Sequence, residues 1–159
     1  MDYIVFIIII LSAAGLSTLF FSRKVLTPIE LITYYLVASE IYLQFSSVII
    51  YNLEMLSPSK TTAVYWVLIA KIFVIVPCLT TWLLSFYFLK STPLHHKGLL
   101  TIGWLFSLSA IDLMLNLAGV VTFKRWNFGY SLIEWLVVLF VCCAFISFFR
   151  KLLRKQVYA

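Results

Sequence analysis

Residues 63–89 read AVYWVLIAKIFVIVPCLTTWLLSFYFL, an apolar run that holds a single charged residue, Lys71. A transmembrane helix needs about 20 consecutive apolar residues to cross about 30 Å of hydrocarbon. The run is therefore long enough to span a bilayer. Pro77 predicts a bend within it, because proline removes one backbone hydrogen bond and frees the carbonyl of Phe73.

Four further apolar runs of the same kind accompany this one. The five runs cover residues 3–21, 27–51, 63–89, 98–122 and 129–149. They are far longer than barrel strands of about 9–11 residues and lack strict alternation, so helices are expected. Of the 159 residues, 64% are hydrophobic and 11% are charged, whereas about 25% are charged in a typical soluble domain. The sequence thus predicts one all-α domain, residues 1–159, an integral membrane bundle of five transmembrane helices.

The distribution of basic residues predicts the orientation of this bundle, because cytoplasmic segments carry an excess of Lys and Arg. With the N-terminus outside, the inner segments hold Arg23, Lys24, Lys90, Lys97, Arg150, Lys151, Arg154 and Lys155. The outer segments hold Lys60, Lys124 and Arg125. We therefore expect the N-terminus outside and the C-terminus in the cytoplasm. Topology and anionic lipid headgroups explain the net charge of +6 more simply than nucleic acid does.

The first run is interpreted as a retained helix and not as a signal peptide. Asp2 precedes the run, and Arg23 and Lys24 follow it, which reverses the charge order of a signal peptide. Cleavage near Ala14 is the alternative. The small residues at positions 12–15 indicate a site of close helix packing.

Two acidic residues lie near predicted helix ends. Thr27-Pro28-Ile29-Glu30 has capping-box spacing with proline at the first helical position, so the second helix is expected to begin there. Glu134 lies about one turn inside the outer boundary. There it is expected to pair with Lys124 or Arg125, or to lie near the N-terminus of its helix.

Three charged residues interrupt the runs at similar depths. At 1.5 Å per residue, Lys71, Asp112 and Glu40 lie roughly 12, 15 and 18 Å from the outer boundary. An unpaired charge at such depth costs about 2.5–3.5 kcal/mol or more, so pairing of Lys71 with the carboxylates is expected. Gln44 and Asn116 follow Glu40 and Asp112 at helical spacing. These five residues form the predicted intramembrane polar cluster.

Three roles for this cluster stay open at this point. Buried polar side chains hold helices together, they contact charged groups of a partner protein, or they line a path for a proton, an ion or a solute. A separate basic segment at the C-terminus, Arg150, Lys151, Arg154 and Lys155, is expected to contact lipid headgroups or to stop membrane transfer.

The sequence shows no motif for catalysis or for a cofactor. His95 and His96 are adjacent and share no helix face, so no metal site is predicted. There is no nucleophile elbow, zinc-protease motif or phosphate-binding glycine loop. Cys78, Cys142 and Cys143 are interpreted as apolar packing residues. We expect no enzyme activity and no cofactor.

The segment from Ile111 to Leu152 resembles part of a known family. Thr122-Phe123-Lys124-Arg125-Trp126-Asn127 before Ser131-Leu132-Ile133-Glu134-Trp135 is similar to small multi-spanning membrane proteins of endospore-forming bacteria, which carry a Lys-Trp turn before the last helix. The resemblance covers about a quarter of the chain. It implies the inner (plasma) membrane of a bacterium and no assigned activity.

The sequence favours a small multi-pass membrane protein that acts as a non-enzymatic subunit or accessory partner within the bilayer. Its expected partners are lipid and either another membrane protein or further copies of itself, and not nucleic acid. The alternative is a small transporter or channel-like protein that uses Glu40, Lys71 and Asp112 for an ion, a proton or a solute.

Overall fold

The computed structural model describes residues 2–89 and 92–157, with side chains from 6–89 and 92–153. The described residues form five helices. They are α1 (Asp2–Ser22), α2 (Pro28–Ser47), α3 (Thr62–Tyr87), α4 (Leu94–Leu117) and α5 (Phe128–Val157). Two short strands, β1 (Leu56–Pro58) and β2 (Val121–Phe123), pair with each other.

The all-α prediction is confirmed, because each of the five apolar runs is mainly helical. By length and composition, three helices could cross a membrane: Thr62–Tyr87, Leu94–Leu117 and Phe128–Leu153. In the first helix, Phe6–Ser22 is a shorter apolar stretch. The described part of the chain thus has three helices of membrane-spanning character.

The predicted end of the fourth run at residue 122 is wrong. The helix ends at Leu117, and Gly119 adopts φ 69, a left-handed conformation that glycine tolerates best. The chain then turns into β2, which pairs antiparallel with β1 so that Ser57 lies opposite Thr122. Apolar composition did not distinguish the last helical turn from this short strand.

The two strands tie together the loops at one end of the bundle, which we call the strand end. Ser59 N donates to Val120 O at 3.0 Å, and Lys124 N donates to Met55 O at 3.0 Å. These two hydrogen bonds extend the strand pairing by one residue pair at each end. They join the α2–α3 connection to the α4–α5 connection and so fix the ends of four helices relative to one another.

Helix α3 departs from α-helical geometry at Lys71–Ile75, where five residues form a π-helical segment. Pro77 lies two residues after this segment, and the carbonyl of Phe73 accepts a hydrogen bond from the Tyr35 hydroxyl of α2. This is the carbonyl that the proline was expected to free. Insertions of this type are frequent at functional sites, and here the segment begins at the one charged residue of the helix.

Helices α2, α3, α4 and α5 contact one another in a closed ring, since α2 packs on α3 and α5, and α4 packs on the same two helices. Helix α1 lies against α3. Gly15 of α1 allows this close approach, because a Cβ there would lie 3.4 Å from Cys78 Cβ. The largest fully buried side chains include Trp135, Tyr34, Leu83, Leu84 and Leu108.

The opposite end of the bundle, which we call the basic end, begins at the predicted cap of α2. Thr27 Oγ1 accepts from Glu30 N at 3.3 Å, and Thr27 N donates to Glu30 Oε2 at 3.1 Å. The capping box is therefore confirmed. It holds the Glu30 side chain in place, with one carboxylate oxygen left for a further partner.

Candidate functional site

A buried ion pair lies near the strand end of the four-helix ring. The Lys71 ammonium donates to Asp112 Oδ1, and each residue is only 7% exposed. Lys71 comes from the start of the π-helical segment of α3, and Asp112 lies on α4. A buried charge is tolerated when it is paired and hydrogen-bonded, so each residue offsets the cost of burying the other.

Aromatic side chains complete this site. Trp135 Nε1 donates to Asp112 Oδ2 at 2.9 Å, which satisfies the second carboxylate oxygen. The Lys71 ammonium lies 5.2 Å from the Tyr42 ring centroid and 5.6 Å from that of Trp135. The two rings stack at 4.8 Å. Cation–π attraction and a charge-assisted hydrogen bond therefore stabilise this buried pair.

Glu134 is the third charged residue at this site. It is 8% exposed and lines a cavity of about 50 Å³ together with Lys71 and Asp112. Leu56 and Phe123 of the two strands also line this cavity, which therefore lies beneath the sheet. A cavity of this size is large enough for water, which needs roughly 10–15 Å³. Glu134 thus faces a small cavity at the strand end, into which Lys71 and Asp112 also reach and whose remaining lining is mainly apolar.

The structure separates Glu40 and Gln44 from this ion pair. Both side chains are exposed, and Gln44 Nε2 donates to Glu40 Oε1 at 2.7 Å. The predicted grouping of Glu40 with Lys71 and Asp112 is therefore wrong. Similar depth along two helices does not bring side chains together, because each residue also turns by about 100° around its helix. Two positions beyond Glu40, Tyr42 points inward and contacts Lys71 instead.

Asn116 has a structural role at the end of α4. Its Oδ1 accepts a hydrogen bond from Phe123 N at 3.1 Å. The side chain thus ties the last turn of α4 to the end of β2. Of the five predicted cluster residues, the structure brings Lys71 and Asp112 into contact and places Asn116 one helical turn away, in the strand support.

Sequence reasoning missed Tyr42 and Trp135 and gave Glu134 a different role. Glu134 was expected beside Lys124 or Arg125, but those two basic residues are exposed and Glu134 is buried. Within the described residues, neither of the two ion pairs includes Glu134. A useful signal was available, because Trp135 is a tryptophan within a run and its N–H needs an acceptor when buried.

A second ion pair lies at the basic end. Arg150 Nε donates to Glu30 Oε1 at 2.9 Å, and the Arg150 guanidinium lies 4.9 Å from the Phe88 ring centroid. The Arg150 side chain thus turns towards α2, and its expected contact with lipid headgroups stays a prediction. Lys151 is exposed, whereas the side chains of Arg154 and Lys155 lie outside the described residues.

The chemistry of these sites is electrostatic. The Lys71–Asp112 pair is satisfied by Trp135 and enclosed by rings. Among the residues that the structure describes, no group of three or more His, Cys, Asp or Glu side chains is placed to hold a metal ion. The arrangement can hold helices together, and Glu134 offers one further carboxylate to the adjacent cavity.

Comparison with known proteins assigns no family to this chain. No family model matches it, and no curated protein and no solved structure matches it. The resemblance to membrane proteins of endospore-forming bacteria stays a prediction. The role of the protein is therefore inferred from its own residues.

Proposed function

We propose that this chain is a small multi-pass membrane protein that acts as a non-enzymatic subunit or accessory partner of another membrane protein. In this proposal all five helices cross the plasma membrane of a bacterium, with the N-terminus outside and the C-terminus in the cytoplasm. The strand end then faces outward and the basic end faces the cytoplasm. A reporter enzyme that works only in the cytoplasm should be active when it is fused to the C-terminus. Activity of a reporter that works only outside the membrane would contradict this orientation.

The observation that carries the proposal is the exposed Glu40–Gln44 pair on α2. Glu40 lies twelve positions beyond Pro28 in a helix that continues to Ser47, about 18 Å from the start at 1.5 Å per residue. An exposed carboxylate at that depth would face hydrocarbon, which is costly. A partner helix that donates hydrogen bonds to this pair would remove the cost.

The neighbouring side chains of α2 define an exposed face around this pair. Ile32 and Leu36 are 59% exposed each, and Val48, the residue directly after α2, is 44% exposed. With Glu40 and Gln44 they follow one another at intervals of four, which places them along one side of a helix. Polar groups within an apolar helix face are a known means of joining transmembrane helices.

The charge of Glu40 favours a different protein over a second copy of this chain. A two-fold interface would bring the same surface of both copies together, and therefore two Glu40 carboxylates. No Lys or Arg occurs between residues 25 and 59 to balance them. The expected partner is thus a helix that carries a basic or hydrogen-bond-donating side chain at matching depth.

Photo-crosslinking in native membranes tests this proposal. A photoreactive residue at Leu36 should give one discrete adduct with another protein, and the same residue at Phe140 of α5, which is 75% exposed, serves as the matched control. Glu40→Leu should abolish the Leu36 adduct. No adduct from Leu36, or the same adduct from both positions, would contradict the proposal, and an adduct with a second copy would replace the partner by a homo-oligomer.

A second candidate function is transport, and the Glu134 cavity is the observation that favours it. Ionisable residues within membrane-spanning segments mark ion and proton pathways, and Glu134 lies in this cavity beside Lys71 and Asp112. The sequence predicted Glu40 as the second carboxylate beside Lys71 and Asp112, whereas Glu134 is the second carboxylate at their cavity. Proton or ion flux into proteoliposomes that Glu134→Gln abolishes would support this function. Flux that is unchanged by Glu134→Gln and by Asp112→Asn would count against it.

A further inference from the structure

A larger groove lies between α2 and α3 at the strand end, and it shares Ser46, Ile50, Leu68 and Ile72 with the wall of the Glu134 cavity. Its volume is about 560 Å³. One wall runs from Leu43 to Tyr51 and is formed by α2 and by the π-helical segment Val48–Asn52 that follows it. The other wall is formed by α3, from Thr62 to Phe73. The segment Pro58–Thr61 closes the groove at the strand end. This groove lies beside the exposed face of α2 and does not include Glu40 or Gln44.

The lining of the groove changes from polar to apolar along its length. Ser59, Lys60, Thr61 and Thr62 line the strand end, whereas Leu43, Leu68, Ile69, Ile72 and Phe73 line the deeper part. From Thr62 to Phe73 the wall of α3 is about 16 Å long at 1.5 Å per residue. This length is about half of the roughly 30 Å hydrocarbon thickness of a bilayer, and so matches one leaflet.

The polar end of the groove is suited to an anion. Lys60 is exposed and is the one charged residue among the residues lining the groove. Helix α3 begins beside it, and its N-cap residue Thr61 makes no side-chain capping hydrogen bond. Among the described residues, the N–H groups of the first helical turn thus donate no capping hydrogen bond to the Thr61 side chain. The positive end of the helix dipole reinforces the lysine charge.

We propose that this groove binds an anionic glycerophospholipid of the strand-side leaflet. The phosphate lies against Lys60 and the first turn of α3, and one acyl chain lies along the apolar wall that ends near Phe73. Charge complementarity and the length of the apolar wall together select this occupant. The proposal rests on the membrane insertion proposed above and is independent of the partner at Glu40.

Lipid retention by the full-length protein in nanodiscs tests the headgroup. Phosphatidylglycerol should bind in preference to phosphatidylcholine, and Lys60→Gln should reduce that preference about fivefold, the factor expected for one lysine at a membrane surface. Lys124→Gln is the matched control, because Lys124 is an exposed lysine at the same end and does not line the groove. Equal losses from both variants, or none from Lys60→Gln, would overturn the proposal.

A variant that fills the groove tests the acyl chain. Ser47→Phe places a ring in the groove and should reduce retention of both lipids, whereas Ala110→Phe on the exposed side of α4 should not. Retention unchanged by Ser47→Phe would overturn the proposal. If Ser47→Phe does not fold, as judged by helical content, the exposed Lys60→Gln decides the question. A chain that does not enter nanodiscs at all would contradict membrane insertion, which is a separate outcome.

Discussion

Two polar pairs of this protein differ in where their helices place them. Lys71 and Asp112 are 7% exposed each and are enclosed by Tyr42 and Trp135. Glu40 and Gln44 bond to each other on the exposed side of α2. The first pair joins helices of the same chain, whereas the second has no second helix among the described residues to join. Charged residues at similar depth can therefore serve internal packing or an external contact, depending on the helix face.

The largest effect is expected from Lys71→Met, because it leaves Asp112 buried without its cation. Removing one partner of a buried ion pair costs about 3–5 kcal/mol of the free energy of unfolding. Unfolding in detergent micelles measures the loss. The double variant Lys71→Met, Asp112→Asn should be more stable than the single one, since it leaves no unpaired charge. Additive losses in the double variant would show that the two residues do not act as a pair.

The next effect is expected from Trp135→Phe. Phenylalanine retains an aromatic ring beside Tyr42 but cannot donate to Asp112 Oδ2. Leaving a buried acceptor unsatisfied costs about 1–3 kcal/mol. The control is Trp66→Phe, because Trp66 is 63% exposed and a surface change should stay within about 0.5 kcal/mol. Equal unfolding free energies for the two variants would argue against the role of Trp135 in the ion-pair site.

A smaller effect is expected at the basic end from Arg150→Met. The Arg150 side chain is 25% exposed and that of Glu30 is 11% exposed, so water screens this pair more than Lys71–Asp112. We expect a loss of about 1 kcal/mol in the free energy of unfolding. Lys151→Met on the exposed neighbouring position should cause no measurable loss. A loss from Arg150→Met as large as that from Lys71→Met would contradict this ranking.

The smallest effect on stability is expected from Glu40→Gln. Because the side chain is exposed, the free energy of unfolding of the isolated protein should change by less than about 0.5 kcal/mol. The same variant should weaken the Leu36 adduct in native membranes, where the partner is present. A large loss of stability in isolation would show that Glu40 supports this chain's own fold.

Much of the fold was predictable because long apolar runs have few ways to satisfy their backbone groups. The capping box at Thr27–Glu30 and the effect of Pro77 on the Phe73 carbonyl were also predictable, since both depend on residues three or four positions apart. The β1–β2 pairing was not, because it joins two segments more than 60 positions apart whose apolar residues resemble a helix end.

The candidate site was predictable only in part. The depth of Lys71 and Asp112 follows from counting residues, and the cost of burying a lone charge indicates that they pair. Counting along one helix does not show which face of it meets its neighbours. For that reason Glu40 was grouped with Lys71, whereas Tyr42, Glu134 and Trp135 were left out.

The all-α class, the order of the helices and the cap of α2 follow from the sequence, because local hydrogen bonding and apolar composition determine them. The choice of partner for each charge was made by the tertiary structure. The rotation of each helix about its axis depends on how all five pack, and this rotation turns Asp112 and Trp135 towards Lys71 and leaves Glu40 outside. The run that contains Lys71 thus contributes one residue of a buried ion pair. The residues that complete this site, Asp112 and Trp135, lie on other helices.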